Sequence, residues 1–288
     1  MIRYDTRAWF AILRSVRGTV LPRIAMRVVM VAGVGLAANA LRRYDVVDLA
    51  IPGIIHTMVG VALGLLLVFR TNASYDRYWE GRRLVGQIVN NARDLVRQGA
   101  SYLAPSAHGP LRDRTIALYV TIRRYLRDER TWPELEGRLP AEVHAQLAAA
   151  RCPPLVIARA IGDVLAAEAA AGRLSEQRLA VLDTAVSDVV DALGGCERIL
   201  RTPVPFAYAH HIKGFLTLFC LSVPLALLPA MGWATGPAAA VVAYALFGID
   251  EIGVEIEDPF GYDPNDLPLE DIGDNLAIDA AQILAPAT

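Results

Sequence analysis

The chain has no basic residue after Lys213, and only acids are charged beyond that point. Its C-terminal acids therefore need arginines from earlier in the chain, a cation or water as partners. The net charge of -2 gives no reason to expect a nucleic-acid partner. Cysteine is scarce: Cys152, Cys196 and Cys220 are widely spaced without a CxxC pair, which argues against a zinc site or a disulfide framework.

The sequence also lacks the common catalytic patterns. HExxH, GxSxG, the P-loop and GxGxxG do not occur, and the adjacent His210 and His211 point to different faces of a helix. We therefore expect no enzyme. No alternating apolar pattern is long enough for a sheet, so we predict an all-α fold. The arginine-rich start has no short apolar region with a small-residue cleavage site, which argues against a secretory signal peptide.

Apolar residues are abundant: they make up 54% of the chain, and the mean hydropathy is +0.35. Four long apolar segments lie at about 24–41, 49–69, 204–231 and 234–249. Segment 49–69 carries no formal charge over 21 residues, and a helix of that length rises about 30 Å, the thickness of a bilayer core. Buried helices of a soluble bundle remain an alternative for any single segment, but four together indicate a multi-pass membrane protein.

Arginine placement predicts the topology. Arginines precede the first segment and follow the second, so the positive-inside rule puts both termini and the large middle region in the cytoplasm. We predict a cytosolic N-terminal segment 1–23, transmembrane helices in 24–69, a cytosolic helical region 70–203, transmembrane helices in 204–250 and an acidic cytosolic segment 251–288. No proline or glycine lies between Leu65 and Glu80, so the second helix is expected to continue into the cytosol. We predict further helices at about 81–103, 111–126, 154–171 and 175–200.

One face of the second segment carries Val61, Leu65 and Phe69, spaced by four. Around a symmetry axis this face would form a hydrophobic throat that gates by dewetting. Spacing alone favours ordinary helix packing, and the throat is the alternative.

Charged residues cluster in two places. Arginines follow the second segment at Arg70, Arg77, Arg82 and Arg83, and acids end the fourth, including Glu251, Glu255 and Asp258. Because carboxylates beside a membrane helix are costly unless paired, we expect an ion-pair belt between these clusters. Asp263 and Asp266 are hard oxygen ligands of the kind calcium prefers, although their spacing does not match an EF-hand loop.

Three stretches resemble the bestrophin family of ion channels: FRTNASYDRYWEGRR after the second segment, RTPVPFAY before the third, and EDPFGYDPNDLPLED after the fourth. The resemblance implies all-helical subunits, each with four transmembrane helices, in a homopentamer around one pore. It places the hydrophobic neck on Val61, Leu65 and Phe69. A second, cytosolic constriction is expected at Leu174 and Leu179.

The resemblance also bears on calcium. Animal members bind calcium in an acidic clasp after Asn-Pro-Phe-Gly, and this chain has Asp258-Pro-Phe-Gly with Asp263 and Asp266 at clasp positions. Pro264 and Asn265 interrupt the acidic run. No cofactor is required by this interpretation, and calcium is an open alternative.

The function implied is a channel for monovalent ions in a bacterial inner membrane, in contact with lipid. Chloride and other anions are the family's usual ions, and bacterial members passing cations are an alternative that the acid-only C-terminal part favours slightly. A transporter and a membrane-anchored scaffold or signalling protein are the competing classes. Internal repeats, which are typical of transporters, are not found.

Overall fold

The computed structural model describes residues 4–16 and 18–285, so four residues of the predicted segment 1–23 (1–3 and 17) lie outside the described residues. Within these ranges every regular element is helical, as predicted. The α-helices are α1 (Trp9–Arg14), α2 (Leu21–Arg43), α3 (Gly53–Tyr102), α4 (Pro105–Leu126), α5 (Ala141–Ala149), α6 (Pro153–Ala170), α7 (Glu176–Arg201), α8 (Phe206–Met231), α9 (Thr235–Glu255) and α10 (Leu269–Ile283). Short 3-10 helices lie at Pro133–Leu135 and Gly232–Ala234.

The chain forms two compact units. The first contains the described residues up to Tyr78 together with Thr202–Asp258 and Asp263–Asn265. The second contains Trp79–Arg201, Pro259–Tyr262 and the described residues from Asp266 onward. Helix α3 contributes residues to both. The boundaries predicted at residues 69, 203 and 250 separate membrane-spanning segments from cytosolic ones, and they stay a prediction.

In the first unit, α2, α8, α9 and the first part of α3 surround one apolar core. Ile24, Leu63, Leu67, Ile212 and Phe247 are among its buried side chains. Among the residues that the structure describes, three stretches are long and apolar enough to cross a membrane: Leu21–Arg43, part of Gly53–Tyr102, and Phe206–Glu255. The third comprises α8 and α9, which are separated by the 3-10 helix at Gly232–Ala234.

Helix α3 is a single helix of 50 residues. It begins at Gly53, directly after Pro52, because proline disfavours helical backbone in the residue before it. The predicted continuation from Leu65 to Glu80 is confirmed, and the helix predicted at about 81–103 is the last part of the same helix. Gly81 lies inside α3, where a Cβ atom would come within 2.7 Å of Pro259 Cγ, so this glycine permits close packing and does not end the helix.

The second unit packs α4 against α6, α7 and α10. Sequence patterns predicted α4, α6 and α7 to within a few residues, apart from the start of α4. They missed α10, which buries Leu269, Leu276 and Ala280 on one face and carries acids in its first turn. The Tyr119 hydroxyl of α4 donates a hydrogen bond to the Leu269 carbonyl oxygen at 2.9 Å and so fixes the start of α10.

The closest helix packing in the first unit is between α2 and α9. A Cβ atom on Gly35 would lie 2.9 Å from the backbone Cα of Gly236, a contact that no side-chain movement can relieve. Gly33, two residues earlier on the same helix, has nothing within 4 Å of a Cβ atom. The two glycines therefore form a matched pair for mutation.

We expect Gly35→Ala to lower the thermal stability of the purified protein, because the added methyl group forces α2 and α9 apart at a cost of about 1–3 kcal/mol. Gly33→Ala should leave stability unchanged or raise it, since alanine favours helix. Thermal unfolding of both variants in detergent measures this difference. Equal unfolding temperatures would contradict the tight α2–α9 contact.

Candidate functional site

The predicted throat residues lie on the uncovered face of α3. Val61 is 72% exposed, Leu65 55% and Phe69 58%, whereas Leu63 and Leu67 on the opposite face are buried in the core of the first unit. Packing within the subunit, the alternative that spacing alone favoured, therefore does not account for these three side chains.

Apart from Thr57, the exposed side chains of α3 between residues 54 and 69 are apolar. Ile54, Met58 and Val68 are exposed beside the predicted throat residues. Beyond Phe69, exposed polar side chains appear, beginning with Asn72 and Asp76. An apolar surface of this length in a single subunit indicates contact with lipid, with other subunits or with a central pore.

Arg70, which follows Phe69, has a buried side chain. The Arg70 side chain is 3% exposed and forms an ion pair with Asp250 of α9, which is equally buried. A second carboxylate, that of Glu257, lies 3.8 Å from the Arg70 guanidinium. Because an unpaired charge here would be very costly, this pair fixes α3 against the end of α9.

Arg77, two turns further along α3, binds backbone oxygens. It donates hydrogen bonds to the carbonyl oxygens of Thr202 at 2.6 Å and Glu257 at 3.2 Å. The Glu257 carboxylate in turn accepts a hydrogen bond from the Val204 amide at 3.1 Å. Arg77 and Glu257 together hold the segment that leads into α8, which is part of the RTPVPFAY motif.

The remaining acids of α9 pair with α2, which the sequence analysis did not anticipate. Arg27 lies 3.0 Å from Glu251, and Arg23 lies 3.3 Å from Glu255. The sequence did contain a signal for this pairing. Arg23 and Arg27 are four residues apart, and so are Glu251 and Glu255, so the two arginines share one face of α2 and the two glutamates share one face of α9. The proposed belt thus draws its cations from Arg23 and Arg27 as well as from Arg70.

Two predicted belt arginines do not take part in these pairs. Arg83 pairs with Glu80 on its own helix at 2.9 Å, because the two residues are three apart on an exposed face. Arg82 is exposed on α3 beside Asn90 and Asn275. Asp258 lies at the surface, directly before Pro259.

The residues predicted for a cytosolic constriction differ in exposure. Leu174 is buried at 5% exposure between α6 and α7, so little of its side chain remains to line a pore. Leu179 is half-buried in the first turns of α7. Val181 on the same helix is 46% exposed and offers more apolar surface than either predicted residue.

The candidate calcium ligands have other surroundings. Asp263 forms an ion pair with Arg23 at 2.6 Å, and Asp266 is buried in the second unit. Among residues 4–16 and 18–285, no group of three or more His, Cys, Asp or Glu side chains is placed to hold a metal ion.

In the second unit, Arg127 holds the Asp-Pro-Phe-Gly segment. It donates hydrogen bonds to the carbonyl oxygens of Phe260 at 2.8 Å and Gly261 at 3.0 Å, and it pairs with Glu270 of α10. Burial alone would raise the pKa of Glu270, but the hydrogen bond and the charge of Arg127 outweigh it and lower that pKa. The segment is therefore anchored by a guanidinium group.

Comparison with known proteins identifies the family. A family model described as Bacterial/Fungal Bestrophin protein matches residues 1–282. The chain belongs to the bestrophin family. It is 40% identical over 270 residues to a voltage-dependent anion channel-forming protein of Nostoc sp., covering 92% of this chain and 88% of the relative. A protein of the same name from Synechocystis sp. is 37% identical over 272 residues, with the same coverage.

Solved bestrophin structures share the fold. A crystal structure of a point variant of a bacterial bestrophin homologue from Klebsiella pneumoniae superposes with a TM-score of 0.87 at 28% identity. The match covers 91% of this chain and 99% of that one. The predicted family and the all-α fold are thus confirmed.

We expect Asp250→Ala to destabilise this bestrophin strongly, by about 3–5 kcal/mol, because Arg70 would remain buried without its nearest counter-charge. Thermal or denaturant unfolding in detergent measures the loss. The double variant Arg70→Met/Asp250→Leu should lose less, since both members of the buried pair are removed together.

Asp94→Ala provides the matched control. Asp94 pairs with Arg97 at 2.9 Å on an exposed face of α3, where an ion pair contributes at most about 1 kcal/mol. If Asp250→Ala were no more destabilising than Asp94→Ala, the buried pair would not be a stabilising contact.

Proposed function

We propose that this bestrophin is an anion channel in which five copies of the chain surround a central pore. The observation that carries the proposal is the uncovered apolar face of α3, on which Val61, Leu65 and Phe69 are all more than half exposed. In a homopentamer this face supplies a narrow neck made of three apolar rings. Homopentameric assembly also covers surface that a single subunit would expose.

The proposed topology has four crossings: α2, the first part of α3, α8 and α9. Helix α9 has 21 residues, which corresponds to about 31 Å of rise. Both termini and the second unit then lie on the cytosolic side, where most of the arginines are found. A bacterial inner membrane is the proposed location.

An anion pathway is supported by the Nostoc and Synechocystis relatives, which are named as voltage-dependent anion channel-forming proteins. Cation conduction was the alternative that the acid-only C-terminal part of the sequence slightly favoured. The contacts of these acids give that alternative little support. Asp250, Glu251 and Glu255 each pair with an arginine, so their charges are neutralised within the subunit. The neck itself is uncharged and selects ions through hydration and access.

The proposed gate is the neck. A narrow apolar constriction loses its water, and an ion that enters it gives up part of its hydration shell. Conduction then requires the three rings to widen or rotate away. A second constriction near Leu179 stays a prediction. The relatives and structures point to a channel rather than an enzyme, and no catalytic step is proposed.

The function is tested by recording from the purified protein in planar bilayers under a potassium chloride gradient. We expect discrete currents that reverse near the chloride equilibrium potential. Reversal near the potassium potential would overturn anion selectivity. Absence of current would favour the scaffold class, and flux that requires a coupled second solute would favour a transporter.

Neck variants test the gate. Leu65→Ala and Phe69→Ala should each raise the open probability roughly tenfold, which corresponds to about 1.4 kcal/mol, less than the burial energy of one large apolar side chain. Single-channel recording measures this change.

Val241→Ala is the matched control, since Val241 is an apolar residue of α9 that is 68% exposed. It should leave the open probability unchanged. If the neck variants behaved like this control, the exposed face of α3 would face lipid or another subunit and not the pore.

A further inference from the structure

The turn at residues 263–265 is held by the start of α2. The Arg23 guanidinium lies 2.6 Å from Asp263 Oδ1 and 3.3 Å from Glu255 Oε2. Glu255 belongs to the last turn of α9, and its side chain is 5% exposed. One guanidinium therefore joins three segments of the first unit that are far apart in sequence.

Asn265 completes this arrangement. Its side-chain amide donates hydrogen bonds to Glu255 Oε1 at 2.8 Å and to the Gly18 carbonyl oxygen at 3.2 Å. Both oxygens of Glu255 and the Gly18 carbonyl thus accept from N–H donors of the same cluster.

These are the kinds of oxygen that calcium binds. Calcium takes six to eight carboxylate, carbonyl or water oxygens at about 2.3–2.6 Å. Here two carboxylates and a carbonyl face the Arg23 guanidinium and the NH2 group of Asn265, both of which donate hydrogen bonds to these oxygens. A guanidinium has no atom that can bind a cation. A divalent ion among the same oxygens would also be repelled by the charge of Arg23. The residues of this cluster therefore do not fit a calcium ion.

We propose that Arg23 takes the place of calcium in this bestrophin. Its guanidinium supplies the positive charge that holds the turn at 263–265 against the ends of α2 and α9. Because arginine is protonated at every physiological pH, the turn is held permanently. Its stability then does not depend on the calcium concentration.

Calcium titration of the purified full-length protein tests this inference, with isothermal titration and thermal unfolding as readouts. The wild type should show no saturable binding up to millimolar calcium chloride and no shift in unfolding temperature. Arg23→Gln removes the cation and leaves Glu255 and Asp263 in place. It should unfold at a lower temperature, and calcium should bind it at least tenfold more tightly than the wild type and restore its stability.

Two further variants control the experiment. Arg23→Lys keeps the positive charge and should bind calcium no better than the wild type. The double variant Arg23→Gln/Asp263→Asn lacks one carboxylate and should lose the calcium response. Magnesium chloride serves as the ionic-strength control and should not restore Arg23→Gln.

The inference is overturned if the wild type binds calcium saturably and Asp263→Asn abolishes that binding. It is equally overturned if folded Arg23→Gln gains no calcium affinity. If Arg23→Gln does not fold without added ions, its folding is tested with calcium chloride and with magnesium chloride. Folding with calcium but not with magnesium supports the inference, and failure to fold with either ion overturns it. None of these readouts depends on current, so the result is independent of the proposed anion selectivity.

Discussion

The buried guanidinium of Arg70 is the contact on which the architecture at the end of the apolar segments depends. An arginine with 3% of its side chain exposed has to be paired, and Asp250 and Glu257 provide the carboxylates. Pairing fixes which face of α3 points inward at this level. Since neighbouring residues on a helix differ by about 100° in direction, Phe69 is directed away from the core where Arg70 enters it. The exposure of Phe69 and the burial of Arg70 are thus two results of one constraint.

The same constraint organises the acids of α9. Arg27 and Arg23 of α2 pair with Glu251 and Glu255, so three carboxylates of α9 are matched by arginines from two other helices. Charges that would otherwise be costly near a membrane become contacts that hold α2, α3 and α9 together. The exposed face of α3 that ends at Phe69 carries none of these charges. The function that we propose rests on that surface.

Much of this arrangement could be predicted from the sequence, because apolar runs and helix breakers are local signals. The unbroken stretch from Leu65 to Glu80 predicted that α3 continues, and spacing by four placed Val61, Leu65 and Phe69 on one face. Pairing over more than two hundred residues is not a local signal, so Arg23 and Arg27 were missed as partners of the acidic segment. Helix α10 was missed although Leu269, Ile272, Leu276 and Ala280 recur with helical spacing, so the sequence did contain a signal for it. Leu174 was placed at a constriction by resemblance, whereas its side chain is buried.

The central claim is that the exposed face of α3 lines the ion pathway. Single cysteines at Leu65 and, for comparison, at Val241 can be modified with a charged thiol reagent during recording, since Cys196 and Cys220 are buried and Cys152 can be replaced. We predict that modification of Leu65→Cys changes the current within seconds to minutes and that modification of Val241→Cys does not. If the current were unaffected at Leu65→Cys although mass spectrometry showed full modification, this face of α3 would not line the pathway.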